Sequence, residues 1–182
     1  TAKQINDTLT GLASTDVITV EVTDASTNDL TALQAVDNKT DQSVGVASIY
    51  DSYDNIKTML DTAAFDHDDA ALTVSATEKI DKTKQAYMDA RTDGAVNFTM
   101  VEDTYSNLND MGTLLAGKKV TISDAVTIAK YDTIAGFVAG SSGGSVTYTV
   151  SDTASVLSSL AANSGSDATN VKLTAATSVT VN

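Results

Sequence analysis

The chain has 182 residues and carries 11 basic against 24 acidic side chains, which gives a formal net charge of −13. This acidity argues against a nucleic-acid partner and against docking on anionic lipid, because both are bound through basic surfaces. The chain has no cysteine, which excludes disulfide bonds and thiolate metal sites, and no apolar run is long enough to predict insertion into a membrane.

The first element in chain order is predicted to be a helix over residues 1–15. Ile5, Leu9 and Leu12 are spaced i, i+4, i+7, which is the apolar pattern of an amphipathic helix. No strand pattern precedes them. We therefore interpret residues 1–17 as a partial repeat, the helical second half of a strand–helix unit.

Six strand–helix units are predicted after this helix. The clearest one has alternating Val146, Tyr148 and Val150, followed by Val156, Leu157, Leu160 and Ala161 at helical spacing. Similar patterns precede it along the chain. The units start at residues 18, 44, 72, 96, 120 and 146, and residues 171–182 form a terminal strand segment.

The distances between strand starts, including that at 171, are 26, 28, 24, 24, 26 and 25 residues. A nearly constant period of this size is typical of a solenoid, whereas six unrelated units of a doubly wound sheet would have varied lengths and continuously apolar strands. The pattern thus favours a single repeat domain over residues 1–182. We expect an α/β fold, a right-handed solenoid of about six ~25-residue strand–helix repeats with a parallel sheet.

The repeat predicts which strand residues lie side by side. Two inward columns are expected, one of Ile18, Val44, Leu72, Val96, Val120, Val146 and Val171, the other of Val20, Val46, Val74, Phe98, Ile122, Tyr148 and Leu173. The outward positions are small and hydroxylated. Among them we mark an interaction surface made of Thr73, Thr99, Thr121, Thr147 and Thr149, which could meet a glycan or a second copy, although threonine is also an ordinary exposed strand residue.

Short acidic side chains stand before most predicted helices. Asp24, Asp124 and Asp152 are interpreted as N-caps of the helices that follow them, because a helix start needs acceptors for its free amides. In two units the cap is Asp51 or Ser52, and Asp103 or Thr104, respectively. These aspartates are structural in this interpretation, and no catalytic role is assigned to them.

Enzymatic chemistry finds little support in the sequence. His67 is the only histidine and is interpreted as a surface loop residue, because a zinc or acid–base site needs partners that the chain does not obviously supply. The glycine-rich stretch at 140–144 lacks the lysine of a phosphate-binding loop and is interpreted as a turn. We predict no catalytic residues, no cofactor and no enzymatic activity.

A calcium site is the one metal hypothesis that the sequence offers. Asp66, Asp68 and Asp69 form the densest acidic run, and Asp37 with Asp41 is a second pair. Calcium takes six to eight oxygen ligands, but neither group has EF-hand spacing and the calcium-binding nonapeptide repeat is absent. Solvated loops are the alternative interpretation.

Two stretches, VTISDAVTIAKYDTIAGF and VTYTVSDTASVLSSLAAN, resemble the "SDTA"-type strand–helix repeats of very large surface proteins of cyanobacteria and other marine bacteria. Similar repeats occur in appendage proteins of related phages. The resemblance covers about residues 120–181, while the first four units match less well. It implies a structural or adhesive role outside the cytoplasm and carries no catalytic residues.

We therefore predict a non-enzymatic structural repeat module of a cell-surface layer, an adhesin or a virion appendage, with an extracellular, cell-surface or virion location. Its partners are expected to be itself or flanking repeats of a longer chain, joined by stacking at sheet edges. A strandless first helix and a helixless last strand favour this hypothesis. The alternative is a calcium-dependent or glycan-binding adhesin module.

Overall fold

A computed structural model describes residues 1–11, 19–23, 29–62, 65–162 and 176–182, and in these ranges strands and helices alternate in a mixed α/β fold with parallel sheets. The helices are α1 Ala2–Thr8, α2 Leu30–Asp37, α3 Tyr53–Leu60, α4 Lys82–Asp89, α5 Tyr105–Met111, α6 Ile128–Val138 and α7 Ala154–Ala162, with a 3-10 turn at Gly112–Leu115.

The strands are short in the first half of the chain and longer in the second. They are β1 Val20–Val22, β2 Val44–Val46, β3 Ser48–Asp51, β4 Phe65–Asp66, β5 Ala71–Val74, β6 Lys79–Ile80, β7 Val96–Asn97, β8 Met100–Asp103, β9 Lys119–Val126, β10 Ser145–Asp152 and β11 Ser178–Val181.

Internal contacts divide the chain into two compact units, Thr1–Glu78 with Thr83–Phe98, and Lys79–Lys82 with Thr99–Asn182. The first unit holds two three-stranded parallel sheets, in the orders β1-β2-β4 and β3-β5-β7. The second unit holds one five-stranded parallel sheet in the order β11-β10-β9-β8-β6. The single repeat domain over 1–182 remains a prediction.

The predicted register is right at some strand pairs and wrong at others. Leu72 pairs with Val96 and Val120 pairs with Val146, as expected. Val20, however, pairs with Val44, so its predicted alignment with Val46 is wrong by two residues. The predicted alignments of Val44 with Leu72 and of Val96 with Val120 are also wrong, because Val44 pairs with Phe65, Leu72 with Ile49 and Val120 with Val101. The cause is that neighbouring strands of the first unit are staggered, and the patterns starting at 44 and 96 each break into two short strands in different sheets.

A second irregularity lies between β9 and β10. Thr147 pairs with Thr121, but Thr149 pairs with Ala125, so three residues of β9 stand opposite Tyr148 alone. Such a bulge redirects the side chains that it contains. It includes Asp124, whose carboxylate accepts a hydrogen bond from Tyr105 N at the start of α5 and not from the helix that it is predicted to cap.

The cores are built from the alternating strand residues and the apolar helix positions that the sequence pattern marks. In the second unit Leu108, Ile134 and Val150 are fully buried. The Tyr148 ring is buried as well and stacks on Tyr131, with ring centroids 4.0 Å apart. Burying each large side chain contributes roughly 1.5–3 kcal/mol, so the packing of helices on the sheet within this unit stabilises elements this short.

Several predicted features fall outside the described residues. These are the strand start Ile18, the helix residue Leu12, the cap Asp24, the end of the last helix at Asn163 and the column residues Val171 and Leu173. The first helix is shorter than predicted: it ends at Thr8 with Leu9 as its C-cap, and residues 9–11 are not helical, so the predicted helix over residues 1–15 is wrong. The last described strand, β11, begins at Ser178.

Candidate functional site

Five of the described helices begin at a backbone amide that donates a hydrogen bond to a carboxylate from a later part of the chain. The acceptors lie 19 to 25 residues further on, in or beside the following strand segment. The pairs are Leu30 N to Asp51 (3.0 Å), Tyr53 N to Glu78 (2.8 Å), Lys82 N to Asp103 (3.0 Å), Tyr105 N to Asp124 (2.6 Å) and Ile128 N to Asp152 (3.1 Å).

We call these five contacts the carboxylate clamps. The first amides of a helix have no partner within the helix, and the N-terminus carries a partial positive charge. A carboxylate accepts a hydrogen bond from such an amide and also compensates the partial positive charge. Each clamp therefore links the start of one helix to the strand region that follows it. The clamps occupy the same structural position in all five places, between a helix start and the region of a later strand.

Three of the clamp carboxylates, those of Asp51, Asp103 and Asp152, also accept hydrogen bonds from the start of the helix that follows them directly. The second oxygen of Asp103 accepts hydrogen bonds from Thr104 N and from the side-chain amide of Asn107, both at 2.8 Å. Asp51 does the same with Ser52 N and Asn55, at 2.7 and 2.8 Å. One aspartate therefore contacts two successive helix starts.

The predicted N-cap role of Asp124 and Asp152 is wrong. Helix α6 is capped by Thr127, whose hydroxyl accepts from Lys130 N, and the Thr153 hydroxyl accepts from Val156 N at the start of α7. In the two units left open, the cap is Ser52 for α3 and Thr104 for α5. The serine or threonine lies directly before the helix that it caps. The aspartate carboxylate can therefore accept a hydrogen bond from the start of the preceding helix.

The clamp at Asp103 makes a prediction for acid stability. Partial burial alone would raise the pKa of Asp103, but hydrogen bonds from Lys82 N, Asn107 and Thr104 N, together with the Lys82 charge, lower it below its ordinary value of 3.8. A depressed folded pKa means that Asp103 stabilises the fold at higher pH and loses this effect as pH falls through the folded value. We expect Asp103→Asn to flatten the fall in unfolding midpoint below pH 4, measured by urea titration. An unchanged pH dependence would contradict the clamp.

The predicted calcium residues do not converge on one point. Asp66 and Asp69 line an open hollow of about 390 Å³ together with Glu21, whose strand neighbour Gly45 pairs with Asp66. Asp68 lines a different hollow, with His67, Asp89 and Arg91.

Among the residues that the structure describes, no group of three or more His, Asp or Glu side chains is arranged to hold a metal ion. The calcium site therefore remains a hypothesis. His67, predicted to be a surface loop residue, is half-buried, and its buried Nδ1 has no hydrogen-bond partner in the described part of the chain.

The five marked threonines do not form one array. Thr121 and Thr147 are paired neighbours in the five-stranded sheet, but Thr121 is flanked on its other side by Glu102. Thr149 lies beside Ser178, and the two hydroxyls are 3.4 Å apart. Thr73 belongs to a sheet of the first unit, between Tyr50 and Asn97, and Thr99 lies outside the strands. All five are exposed or half-buried.

Sequence reasoning missed the clamps, although a signal for them exists. An aspartate followed by serine or threonine stands at 51–52, 103–104 and 152–153, where a strand ends and a helix begins, although the same dipeptide also occurs at 7–8, 61–62 and 132–133, in or just after helices. At these strand ends the aspartate accepts from the start of an earlier helix, while the serine or threonine caps the helix that follows. Glu78 has no such neighbour, and only the structure reveals its role.

No family model, curated protein or solved structure matches the chain. None of the described helices combines the length and the hydropathy needed to span a bilayer.

Proposed function

We propose that the chain is a non-enzymatic structural repeat module that acts by stacking and self-association. In this proposal the strand–helix units continue one right-handed solenoid of about six repeats. The function is mechanical: each unit is stiffened by its neighbours, and strand edges at the sheet ends join the module to itself or to flanking repeats of a longer chain.

The carboxylate clamps carry this proposal. Helix starts are fixed by side chains about one repeat further along the chain, at five places. A helix so attached depends on the next unit for its own start, which is the nearest-neighbour stabilisation expected of a stacked array. The parallel pairing of successive strands supports the same proposal.

We place the module outside the cytoplasm, in a cell-surface layer, an adhesin or a virion appendage. The net charge of −13, the hydroxyl-rich strand faces and the likeness to "SDTA"-type repeats support this location. Detection of the chain on the surface of intact cells or particles, by antibody labelling and electron microscopy, tests it; exclusively cytosolic label would contradict it.

Self-association is tested with the 182-residue chain in sedimentation velocity over a wide concentration range. The expected result is a concentration-dependent rise in mass that becomes stronger at 0.5 M salt, because salt screens repulsion between acidic chains. A chain that stays monomeric at the highest concentration and at both salt levels would contradict the proposal.

The second candidate is a calcium-dependent adhesin module, and the approach of Asp66 and Asp69 to Glu21 in one hollow favours it. In this case millimolar calcium, but not magnesium, raises the melting temperature, because binding stabilises only the folded state. Asp66→Asn or Asp69→Asn is expected to abolish the rise. Asp68→Asn is the matched control and retains it, since Asp68 lines another hollow. No rise in the unaltered chain would contradict this candidate.

A further inference from the structure

Tyr131 and Tyr148 form the closest pair of aromatic rings in the described part of the chain. Their ring centroids are 4.0 Å apart and their ring planes differ by 24°, so the two phenols lie nearly face to face. Tyr148 lies in β10 and is only 1% exposed, whereas Tyr131 lies in α6 and is half-buried. The pair therefore connects a buried strand residue to a helix residue that solvent reaches.

The hydroxyl groups of the two tyrosines lie at the same end of the stack. The side chain of Tyr148 is hydrogen-bonded to that of Tyr131, and the pKa of Tyr148 is raised, first by burial and then by Tyr131. The hydroxyl is the only hydrogen-bonding group of a tyrosine side chain. Because the hydroxyls meet and the rings are stacked, the ring carbons next to the two hydroxyls also face one another.

The composition of the chain directs one-electron oxidation to tyrosine. Cysteine and tryptophan, the other side chains that readily give up a single electron, are both absent, and six tyrosines are present. Methionine is oxidised instead by oxygen transfer, which converts it to the sulfoxide. A radical formed on this protein is therefore expected to be a tyrosine phenoxyl radical.

We propose that Tyr131 and Tyr148 are a site of oxidative cross-linking, at which a one-electron oxidant of phenols joins α6 to β10 through a dityrosine. The half-buried Tyr131 is oxidised first and loses one electron and one proton. The Tyr148 hydroxyl then passes its hydrogen atom to the Tyr131 oxygen, and a second equivalent of oxidant removes an electron and a proton from Tyr131. The two radicals form a carbon–carbon bond between the ring carbons next to the hydroxyls, and the hydrogen atoms of these carbons move to the oxygens.

The cross-link would stiffen the unit in which it lies. A covalent bond between residues 131 and 148 closes a loop in the unfolded chain and so removes conformational freedom from the unfolded state. This inference goes beyond the proposed self-association and does not depend on it, because both tyrosines belong to one chain and to one compact unit.

The test oxidises the 182-residue chain at low concentration with photogenerated tris(bipyridine)ruthenium(III), a small one-electron oxidant, and with persulfate as the electron acceptor. Monomeric chains are then separated under denaturing conditions, so that links between chains are left out. We expect these monomers to show dityrosine fluorescence. A proteolytic digest is expected to contain the peptides of Tyr131 and Tyr148 joined together, lighter than their sum by two hydrogen atoms.

Conservative variants show whether the pair itself reacts. Tyr131→Phe and Tyr148→Phe keep a ring in the stack but remove one phenol, and each is expected to lower the dityrosine yield of the monomer about tenfold. Tyr87→Phe is the matched control and should leave the yield unchanged. Tyr87 contacts Tyr53 edge to face, with centroids 6.2 Å apart, which keeps these two rings from coupling. Circular dichroism checks that all three variants are folded.

Three results would overturn this inference. The first is dityrosine that persists undiminished in both Tyr131→Phe and Tyr148→Phe, and the second is a digest that places the link at Tyr53 and Tyr87. The third is monomer without dityrosine under conditions in which the same oxidant couples free tyrosine. None of these results changes the sedimentation behaviour of the unoxidised chain, so the cross-link and the proposed self-association are tested separately.

Discussion

Replacing Asp152 by alanine is expected to lower the free energy of unfolding by about 3 kcal/mol. The residue is only 9% exposed, and its carboxylate accepts hydrogen bonds from Ile128 N at 3.1 Å and from Thr153 N at 2.8 Å. Alanine would leave the buried Ile128 amide at the start of α6 without its acceptor. A hydrogen bond to a charged group is worth more than one between neutral groups, and a buried amide that loses its partner adds a desolvation cost.

The measurement is urea-induced unfolding, followed by circular dichroism, of the natural chain and three variants. Asp152→Asn keeps one acceptor oxygen and is expected to lose less stability than Asp152→Ala. Asp41→Ala removes an exposed carboxylate that accepts a hydrogen bond from the exposed side chain of Gln42, and it should change the free energy of unfolding by less than about 0.5 kcal/mol. Equal losses for Asp152→Ala and Asp41→Ala would show that the clamp contributes little.

The clamps also show which features can be predicted from the sequence and which cannot. The alternation of Val146, Tyr148 and Val150 and the helical spacing after Asp152 predict both elements correctly. The partner of Asp152 could not be predicted, because two acceptors, Asp152 and Thr153, stand before one helix, and local pattern does not tell which of them serves it. The answer depends on the position of α6, more than 20 residues away in sequence.

The predicted strand register was wrong for a similar reason. A one-dimensional alternation shows which residues of β1 and β2 face inward, and Val20, Val22, Val44 and Val46 are all buried. It does not show how far one strand is shifted along the next, since a shift by two residues leaves the same faces buried. The bulge opposite Tyr148 escaped prediction because Ser123 and Asp124, both polar and exposed, interrupt the alternation of β9, and an aspartate at this place is typical of a helix cap.

The candidate interaction surface was the least predictable feature. The sequence marks threonines as outward, which is correct for Thr121 and Thr147, but their grouping depends on which strands share a sheet. Thr73 and Thr121 belong to different sheets for this reason.

Replacing Gly94 by alanine is expected to cost about 3 kcal/mol of stability, because the backbone carbonyls opposite it leave no room for a side chain. A Cβ at this position would lie 2.3 Å from the carbonyl oxygen of Ala70 and 2.6 Å from that of Asp69. Backbone atoms cannot rotate away as a side chain can.

The opposite loop is also held in place. The Thr92 hydroxyl donates at 2.6 Å to the Ala70 carbonyl, and Asp93 N donates at 2.6 Å to the carbonyl of Asp68. Moving the loop to make room for a methyl group would lengthen these two hydrogen bonds. Relieving the steric clash would therefore itself lower the stability of the fold. The same loop carries Asp66 and Asp69, and calcium binding, if present, should weaken together with stability in Gly94→Ala.

Gly136→Ala is the matched control for this substitution. A Cβ at Gly136, in helix α6, would meet nothing within 4 Å, and alanine is favoured over glycine in a helix by about 1 kcal/mol. The same chemical change is therefore expected to stabilise the chain at 136 and to destabilise it at 94, compared by thermal and urea unfolding. If Gly94→Ala were as stable as the natural chain, the Ala70 carbonyl would have to lie further from Gly94 than it does in this structure.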